Sequence, residues 1–277
     1  MSQSQKRVLL IGVSSGLGLD AAKRILKHDV IVYAAAPDIE PMRELESMGA
    51  RLLEIDVTST ESVNKAIETM VEEQGGIDIV LSNAGLHVAG TVECVPEETV
   101  ELLYQVNVMG AARIIRAVSP VFRTQRSGRL IFTSSIVANI SMLMSGWYAS
   151  TKHALKGIVT AYREEVRDMG IEVVMIEPGQ VNTGFEQASI ERLRKIEHFD
   201  DYQPFVEQYI GLTNEFLKKA PDSTSTALAI ETAVTATSPK FIYRTTSDAK
   251  RLPWLYQLAG PKRWDNFLIT EFAKHNN

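Results

Sequence analysis

The stretch Arg7-Val8-Leu9-Leu10-Ile11-Gly12-Val13-Ser14-Ser15-Gly16-Leu17-Gly18 decides how this chain folds. Val8 to Ile11 form an apolar, β-prone run of strand length, and a helical pattern follows the last glycine as far as Lys27. A buried strand that passes through a tight glycine turn into a helix brings backbone N–H groups and the positive helix end up to a phosphate. Gly12, Gly16 and Gly18 stand where a side chain would hold the backbone away from a pyrophosphate, with Ser14, Ser15 and Leu17 between them. An ordinary glycine-rich βα turn reads the same way, so the rest of the chain must lend support.

Alternation lends it. Strand-length runs at Val8–Ile11, Val30–Ala34, Arg51–Ile55, Ile77–Leu81, Arg129–Thr133, Glu172–Ile176 and Phe241–Tyr243 are separated by helical patterns, the longest at Glu97–Arg126 and Trp147–Met169. Neither a linker nor an internal repeat interrupts them. The pattern predicts an α/β chain: one Rossmann domain over residues 1–277, a doubly wound parallel sheet of about seven strands with helices on both faces.

The second half carries reactive side chains. Tyr148 and Lys152 are four apart and share a helix face. A free tyrosine, with a pKa of about 10, exchanges protons poorly near neutrality, and a neighbouring ammonium favours its phenolate. Ser135 lies 13 positions before Tyr148 and supplies a hydroxyl to hold a carbonyl oxygen beside the phenol. Ser134 competes for that role, one residue further away. His153 sits about 100° around the helix from Lys152 and is read as structural. A tyrosine four before a lysine is common on amphipathic helices, so the pair gains meaning only from its company.

That company resembles the short-chain dehydrogenase/reductase family. The matching residues are the Gly12/Gly16/Gly18 turn, Asp56-Val57 after the third strand, Ser82-Asn83-Ala84-Gly85 after the fourth, and Asn107 in Asn107-Val108-Met109-Gly110. They continue with Ser134-Ser135, Tyr148-Ala149-Ser150-Thr151-Lys152, and Pro178-Gly179 with Val181 and Thr183 beyond, covering residues 7 to 184 in the family's order. Similarity is greatest to the hydroxysteroid and retinol dehydrogenase branch, with Glu177-Pro178-Gly179 as a local sign.

The resemblance implies an NAD(P)(H)-dependent oxidoreductase that interconverts an alcohol and a ketone or aldehyde on an apolar small molecule. It makes Tyr148 the general acid in reduction and the base in oxidation. Lys152 then lowers the phenol pKa and holds the nicotinamide ribose, Ser135 orients the carbonyl, and Asn107 anchors a water that links Lys152 to solvent. Asp56 accepts from the adenine amino group with Val57 alongside; without the resemblance, an aspartate after a strand is a turn or cap residue. Asn83, Ala84 and Gly85 shape the ribose pocket, while Thr183, with Val181, holds the nicotinamide carboxamide beyond the Pro178-Gly179 turn. The other reading is a catalytically silent dinucleotide-binding regulatory or scaffold protein, which a fold alone permits. An intact Asn107, Ser135, Tyr148 and Lys152 set favours the enzyme.

Three positions depart from the family pattern: Ile11 where threonine is usual, Ala138-Asn139 where glycine is common, and Met144 where proline is common. The last two are expected to reshape the substrate wall. Cofactor choice is open. A carboxylate about 20 residues after the glycine turn selects NAD, and an arginine nearby selects NADP. Ala36 and Pro37 align with those positions, so neither determinant is present. The missing carboxylate at Ala36 tilts the reading toward NADP(H), while Asp38 restores NAD if its loop folds inward.

Residues 185–222, polar with Phe185, Phe199, Tyr202, Phe205, Tyr209 and Phe216 interspersed, follow the sixth strand, where the family places a substrate lid. A packed surface helix pair is the plain alternative. The segment 245–277, aromatic around Trp254, Tyr256, Trp264 and Phe267-Leu268-Ile269, is expected to pack against the lid or a partner subunit. The resemblance also implies a homodimer or homotetramer through the two longest helices.

With 277 residues, 45% hydrophobic, the chain can bury one sizeable core. A net charge of −5 with interspersed signs leaves no footprint for nucleic acid. A single cysteine, Cys94, excludes an intrachain disulfide. Met1 to Lys6 is polar, unlike a signal peptide, and no apolar run suits an integral membrane segment, so the expected location is cytoplasmic. No metal site is read.

Overall fold

The computed structural model describes residues 5–260, 262–264 and 266. Seven parallel strands form one sheet in the order β3-β2-β1-β4-β5-β6-β7. They are β1 (Lys6–Ile11), β2 (Val30–Ala36), β3 (Arg51–Glu54), β4 (Ile79–Ser82), β5 (Gly128–Thr133), β6 (Ile171–Glu177) and β7 (Ile242–Arg244). Val8 to Ile11 are fully buried, as a parallel strand covered on both faces requires. The helices are α1 (Gly16–Ile25), α2 (Arg43–Ser47), α3 (Thr60–Gln74), α4 (Glu97–Tyr104), α5 (Gly110–Gln125), α6 (Gly146–Glu165), α7 (Phe185–Leu193), α8 (Gln203–Lys219), α9 (Thr224–Thr235) and α10 (Ser247–Ala259). One core packs α3, α5 and α6 on the sheet, through residues such as Ile67, Ile114, Phe122 and Val159. The other packs α1, α2 and α9 on the opposite face, through Ala22, Leu45 and Ile230.

Two boundaries differ from the sequence expectation. The fourth strand starts at Ile79 rather than Ile77, and a side chain takes both backbone groups of Ile77. Ile77 exchanges hydrogen bonds with the Gln125 amide at 3.0 and 2.6 Å, and Asp78 accepts the Arg7 backbone N–H at 2.7 Å while pairing with its guanidinium. The expected helix Glu97–Arg126 is two helices, α4 and α5, joined by a π-turn at Gln105–Met109. Such a turn inserts an extra residue into the helical repeat. It places Asn107 in the interior, 2% exposed. α5 ends at Arg126, whose φ of +53° breaks the helix.

The chain's progress through the sheet reverses between the neighbouring strands β1 and β4, with β2 and β3 built toward one edge and β5 to β7 toward the other. Open α/β sheets bind ligands in the crevice outside the carboxyl ends of the strands at such a switch point. Gly12, Ser14, Ser15, Asp56, Val57, Asn83 to Gly85, Ser135 and Pro178 to Thr183 all lie on loops beyond those ends, and α1, α6 and the π-turn carry most of the other candidate site residues.

Candidate active site

The glycine turn is closed by close approaches. A Cβ on Gly12, whose φ is +82°, would lie 2.4 Å from the Ala84 nitrogen, and one on Gly18 would lie 2.4 Å from the Gly12 carbonyl oxygen. Asn83 fastens the turn from β4: its Nδ2 donates to Gly12 O at 2.6 Å and its backbone N–H to Ile11 O at 2.9 Å. Asn83 therefore holds the turn in shape, in addition to any part in a ribose pocket. Gly16 faces the loop after β6, and a Cβ there would stand 2.9 Å from Thr183 O. Ser15 begins α1 with no side-chain cap, and the first turn has no acidic residue. Uncapped N–H groups at a helix start, unopposed by negative charge, fit an anionic pyrophosphate.

At the far end of β2, Ala36 is buried and its carbonyl accepts from Ile55 N at 3.0 Å. Asp38 is exposed and does not fold inward; its Oδ1 accepts from Glu40 N at 3.0 Å and caps its own turn. Nearby cations are already engaged, Arg43 with Glu40 and Glu46 at 2.8 and 3.0 Å and Lys23 with Glu44 at 2.6 Å. Asp56 likewise serves its turn, accepting from the N–H and hydroxyl of Thr58 at 2.8 Å each. Val57 is buried under Gly110 at the start of α5.

Tyr148, Thr151 and Lys152 lie on the buried face of α6. Lys152 Nζ donates to Thr133 O at 3.1 Å and stands 5.7 Å from the centroid of the Tyr148 ring. Burial pulls its pKa down to about 8. The Tyr148 phenol moves the other way. Burial and the nearby Glu186 charge push it up, and a hydrogen bond with Ser135 offsets this only in part. Burial is the largest influence on the phenol. Ser135 hydrogen-bonds the Tyr148 phenol, whereas the Ser134 hydroxyl has no hydrogen-bond partner among the described residues. His153 is exposed, with Nδ1 2.9 Å from Ala149 O on its own helix.

The Asn107 side chain is fully engaged. Its Oδ1 accepts from Leu86 N at 2.8 Å, and its Nδ2 donates to Leu86 O at 2.8 Å and to Thr151 Oγ1 at 3.0 Å. It clamps the loop after β4 to α6 next to Gly85, where a Cβ would stand 3.7 Å from Asn107 Oδ1 and 3.8 Å from Lys152 Nζ.

The loop after β6 is fixed by partners the sequence did not suggest. Pro178 O accepts from Ile136 N at 2.7 Å, Gly179 N donates to Thr246 Oγ1 at 2.9 Å, and Gln180 N donates to Asp248 Oδ2 at 3.0 Å. Val181 is buried and Thr183 half-buried. Below them the fully buried Glu177 carboxylate meets Lys156 at 3.2 Å, Arg244 at 3.1 Å and Asn139 at 3.1 Å. Asn139 thus belongs to this network rather than to a substrate wall. Met144 packs with Ala89, Leu193, Val206 and Tyr209 and takes a φ of +61° that proline cannot adopt.

The expected lid consists of α7 and α8. Of its aromatics, Phe185 and Tyr209 pack inward, Tyr202 bonds Glu93 at 2.7 Å, and Phe199, Phe205 and Phe216 are exposed. Its unforeseen member is Glu186, whose Oε2 lies 3.1 Å from His87 Nδ1. The His87 ring packs on Tyr148 with centroids 4.3 Å apart. In the last segment, Trp264 is buried against Tyr256, while Phe267-Leu268-Ile269 lie outside the described residues. Among the described residues no cluster of His, Cys, Asp or Glu could hold a metal, and no helix is long and apolar enough to cross a membrane.

Comparison with known proteins agrees with this geometry. The family model for short chain dehydrogenases matches residues 6–194. A 3-ketodihydrosphingosine reductase of Bacteroides thetaiotaomicron is 34% identical over 64% of this chain and 65% of its own length. An uncharacterized oxidoreductase of Schizosaccharomyces pombe is 36% identical over 48% of this chain and 56% of its own, so the chain spans less than two thirds of these relatives. Human 17-beta-hydroxysteroid dehydrogenase type 1 is 28% identical over 86% of this chain and 77% of its own. Among solved structures, a short-chain dehydrogenase from Streptomyces avermitilis superposes with a TM-score of 0.81 at 25% identity, covering 99% of this chain and 97% of that one.

Proposed function

Because the chain belongs to the short chain dehydrogenase family, we propose that it is an NAD(P)(H)-dependent oxidoreductase interconverting an alcohol and a ketone or aldehyde. The observation that carries this reading is the buried trio at the crevice: Tyr148 bonded to Ser135, with Lys152 on the same helix face. The bound dinucleotide supplies or accepts the hydride. Its pyrophosphate would rest on the glycine turn and the start of α1, its adenine near Asp56 and Val57, and its nicotinamide between Lys152 and the Pro178–Thr183 loop. Ser135 orients the substrate oxygen. Tyr148, held as a neutral phenol by burial, donates the proton in reduction, and Lys152 favours the phenolate that remains. Asn107 acts as a positioning residue for Lys152 and the loop after β4.

Exposed Asp38 leaves no carboxylate inside the ribose pocket, which supports NADP(H) over NAD(H). An apolar substrate fits the wall formed by Val88, Ile136, Ile140 and Phe185. The names of the relatives, a keto reductase and a hydroxysteroid dehydrogenase, are compatible with either direction of turnover. Leu102 and Met109, exposed beside the π-turn, suit a homo-oligomeric contact.

Tyr148→Phe tests the assignment. It should lower kcat by roughly 10²- to 10⁴-fold or more, the usual worth of a general acid, and leave dinucleotide Kd nearly unchanged. A variant keeping about a tenth of wild-type turnover removes Tyr148 from the mechanism.

A further inference from the structure

Glu186, in the first turn of α7, brings a carboxylate beside the proton-transfer centre. Its Oε2 lies 3.1 Å from His87 Nδ1, and the His87 ring clusters with those of Tyr148, at 4.3 Å, and Phe185, at 5.9 Å. The phenols of both Tyr148 and Tyr209 feel its charge. The other side chains here are mostly apolar: Leu86, Val88, Ile136, Val137 and Phe185. A carboxylate in such a setting persists only with partners. Burial opposes its ionisation, but the His87 charge and hydrogen bonding outweigh that and keep the carboxyl below its ordinary range.

His87 does not use up the capacity of this pair. Its contact with Glu186 has an ion-pair distance without strict hydrogen-bond alignment, and its Nε2 has no partner among the described residues although the residue is only 2% exposed. An ammonium that replaces the His87 charge as partner of the carboxylate leaves a neutral imidazole, and with its proton on Nδ1 the Nε2 atom is an acceptor. Carboxylate and imidazole together make a site for a donor-rich cation. We propose that Glu186 and His87 form a subsite for a substrate bearing an ammonium group close to the reacting carbon, the ammonium resting on the carboxylate while the alcohol or carbonyl meets Ser135 and Tyr148. This inference rests on the oxidoreductase reading and narrows its substrate class from apolar to amphipathic. An ammonium there would also cancel one of the two influences that hold the Tyr148 proton in place.

Two alcohols of equal length isolate the effect. In 1-aminodecan-2-ol an ammonium takes the place of a methyl group of undecan-3-ol, and both can be oxidised with saturating dinucleotide. The wild-type kcat/KM should favour the amino alcohol by roughly 10- to 100-fold, as a charge-assisted hydrogen bond in a dry site provides. Glu186→Gln should reduce that ratio by about tenfold or more, while Glu186→Asp, which keeps the charge, retains part of it. Calorimetric titration with decylamine reads the subsite without turnover and should show about tenfold weaker binding to Glu186→Gln. Equal wild-type kcat/KM for the two alcohols overturns the proposal. So does an equal fall for both in Glu186→Gln with unchanged decylamine affinity, which would make Glu186 a tether of α7 to His87. If neither alcohol turns over but decylamine still distinguishes the two proteins, the subsite stands and the oxidoreductase reading falls.

Discussion

Replacing Asn107 by alanine should disturb stability, dinucleotide binding and turnover together. The side chain makes three hydrogen bonds in an interior position, two of them to the backbone of Leu86. At about 1 kcal/mol net for each bond, the loss is about 3 kcal/mol, more if the Leu86 N–H and C=O stay dry and unpaired. An unfolding entropy of about 2.1 cal/mol/K per residue converts this to a fall in Tm of about 5 °C for a chain of 277 residues. Freed from its clamp, the loop carrying Asn83 to Gly85 no longer holds the Gly12 turn firmly, so dinucleotide Kd should rise several-fold and kcat/KM should fall by at least about tenfold. Differential scanning fluorimetry, a dinucleotide titration and steady-state kinetics on one preparation measure all three. A variant that loses turnover while keeping wild-type Tm and Kd would refute the clamp and return Asn107 to a direct part in proton transfer.

Three further outcomes are expected. Ala36→Asp should move the ratio of kcat/KM values toward NAD, since a carboxylate at the end of β2 binds ribose hydroxyls and repels a 2′-phosphate; an unchanged ratio would displace Ala36 from the ribose. The Lys152 pKa falls from 10.5 to about 8 on folding, so between those values the unfolded chain binds more protons and stability rises with pH. The urea midpoint of Lys152→Met should lack that contribution over pH 8 to 10, and parallel curves for the two proteins would contradict it. Finally, amides of α7 and α8 should exchange quickly in the free protein and more slowly with dinucleotide and a substrate analogue, whereas strong protection without ligand identifies a fixed insertion.

The sheet was legible because its signals are local. Four apolar residues, a glycine turn and a helical period need no distant partner to be recognised, and the Gly12–Gly18 turn closes as its spacing suggests. Boundaries set by distant side chains were not legible. Ile77 continues the apolar run, yet the Gln125 amide takes both of its backbone groups. The π-turn at Asn107 interrupts a pattern with strong helical period, since nothing in the period marks an inserted residue. The same divide runs through the site. Ser135, Tyr148 and Lys152 meet through one helix and the strand end beside it, so their spacing suffices. His87 lies on the loop after β4 and Glu186 in the first turn of α7 after β6, with no spacing to announce the contact. Asp38 is similar: its choice between capping a turn and facing the ribose is made by the N–H of Glu40.

The hydrogen bonds from Gly179 and Gln180 reach partners 67 and 68 positions later in the chain. During synthesis the strands β1 to β6 and the glycine turn therefore emerge well before Thr246 and Asp248, and chains fold in part as they leave the ribosome. Until those two side chains arrive, the N–H groups of Gly179 and Gln180 lack these partners, and the loop is tied to earlier residues through Ile136 N on Pro178 O. A nascent chain halted short of α10 has its glycine turn complete and the loop after β6 still without its two late partners. Order of translation thus sets the order in which the two ends of the cofactor cleft are built.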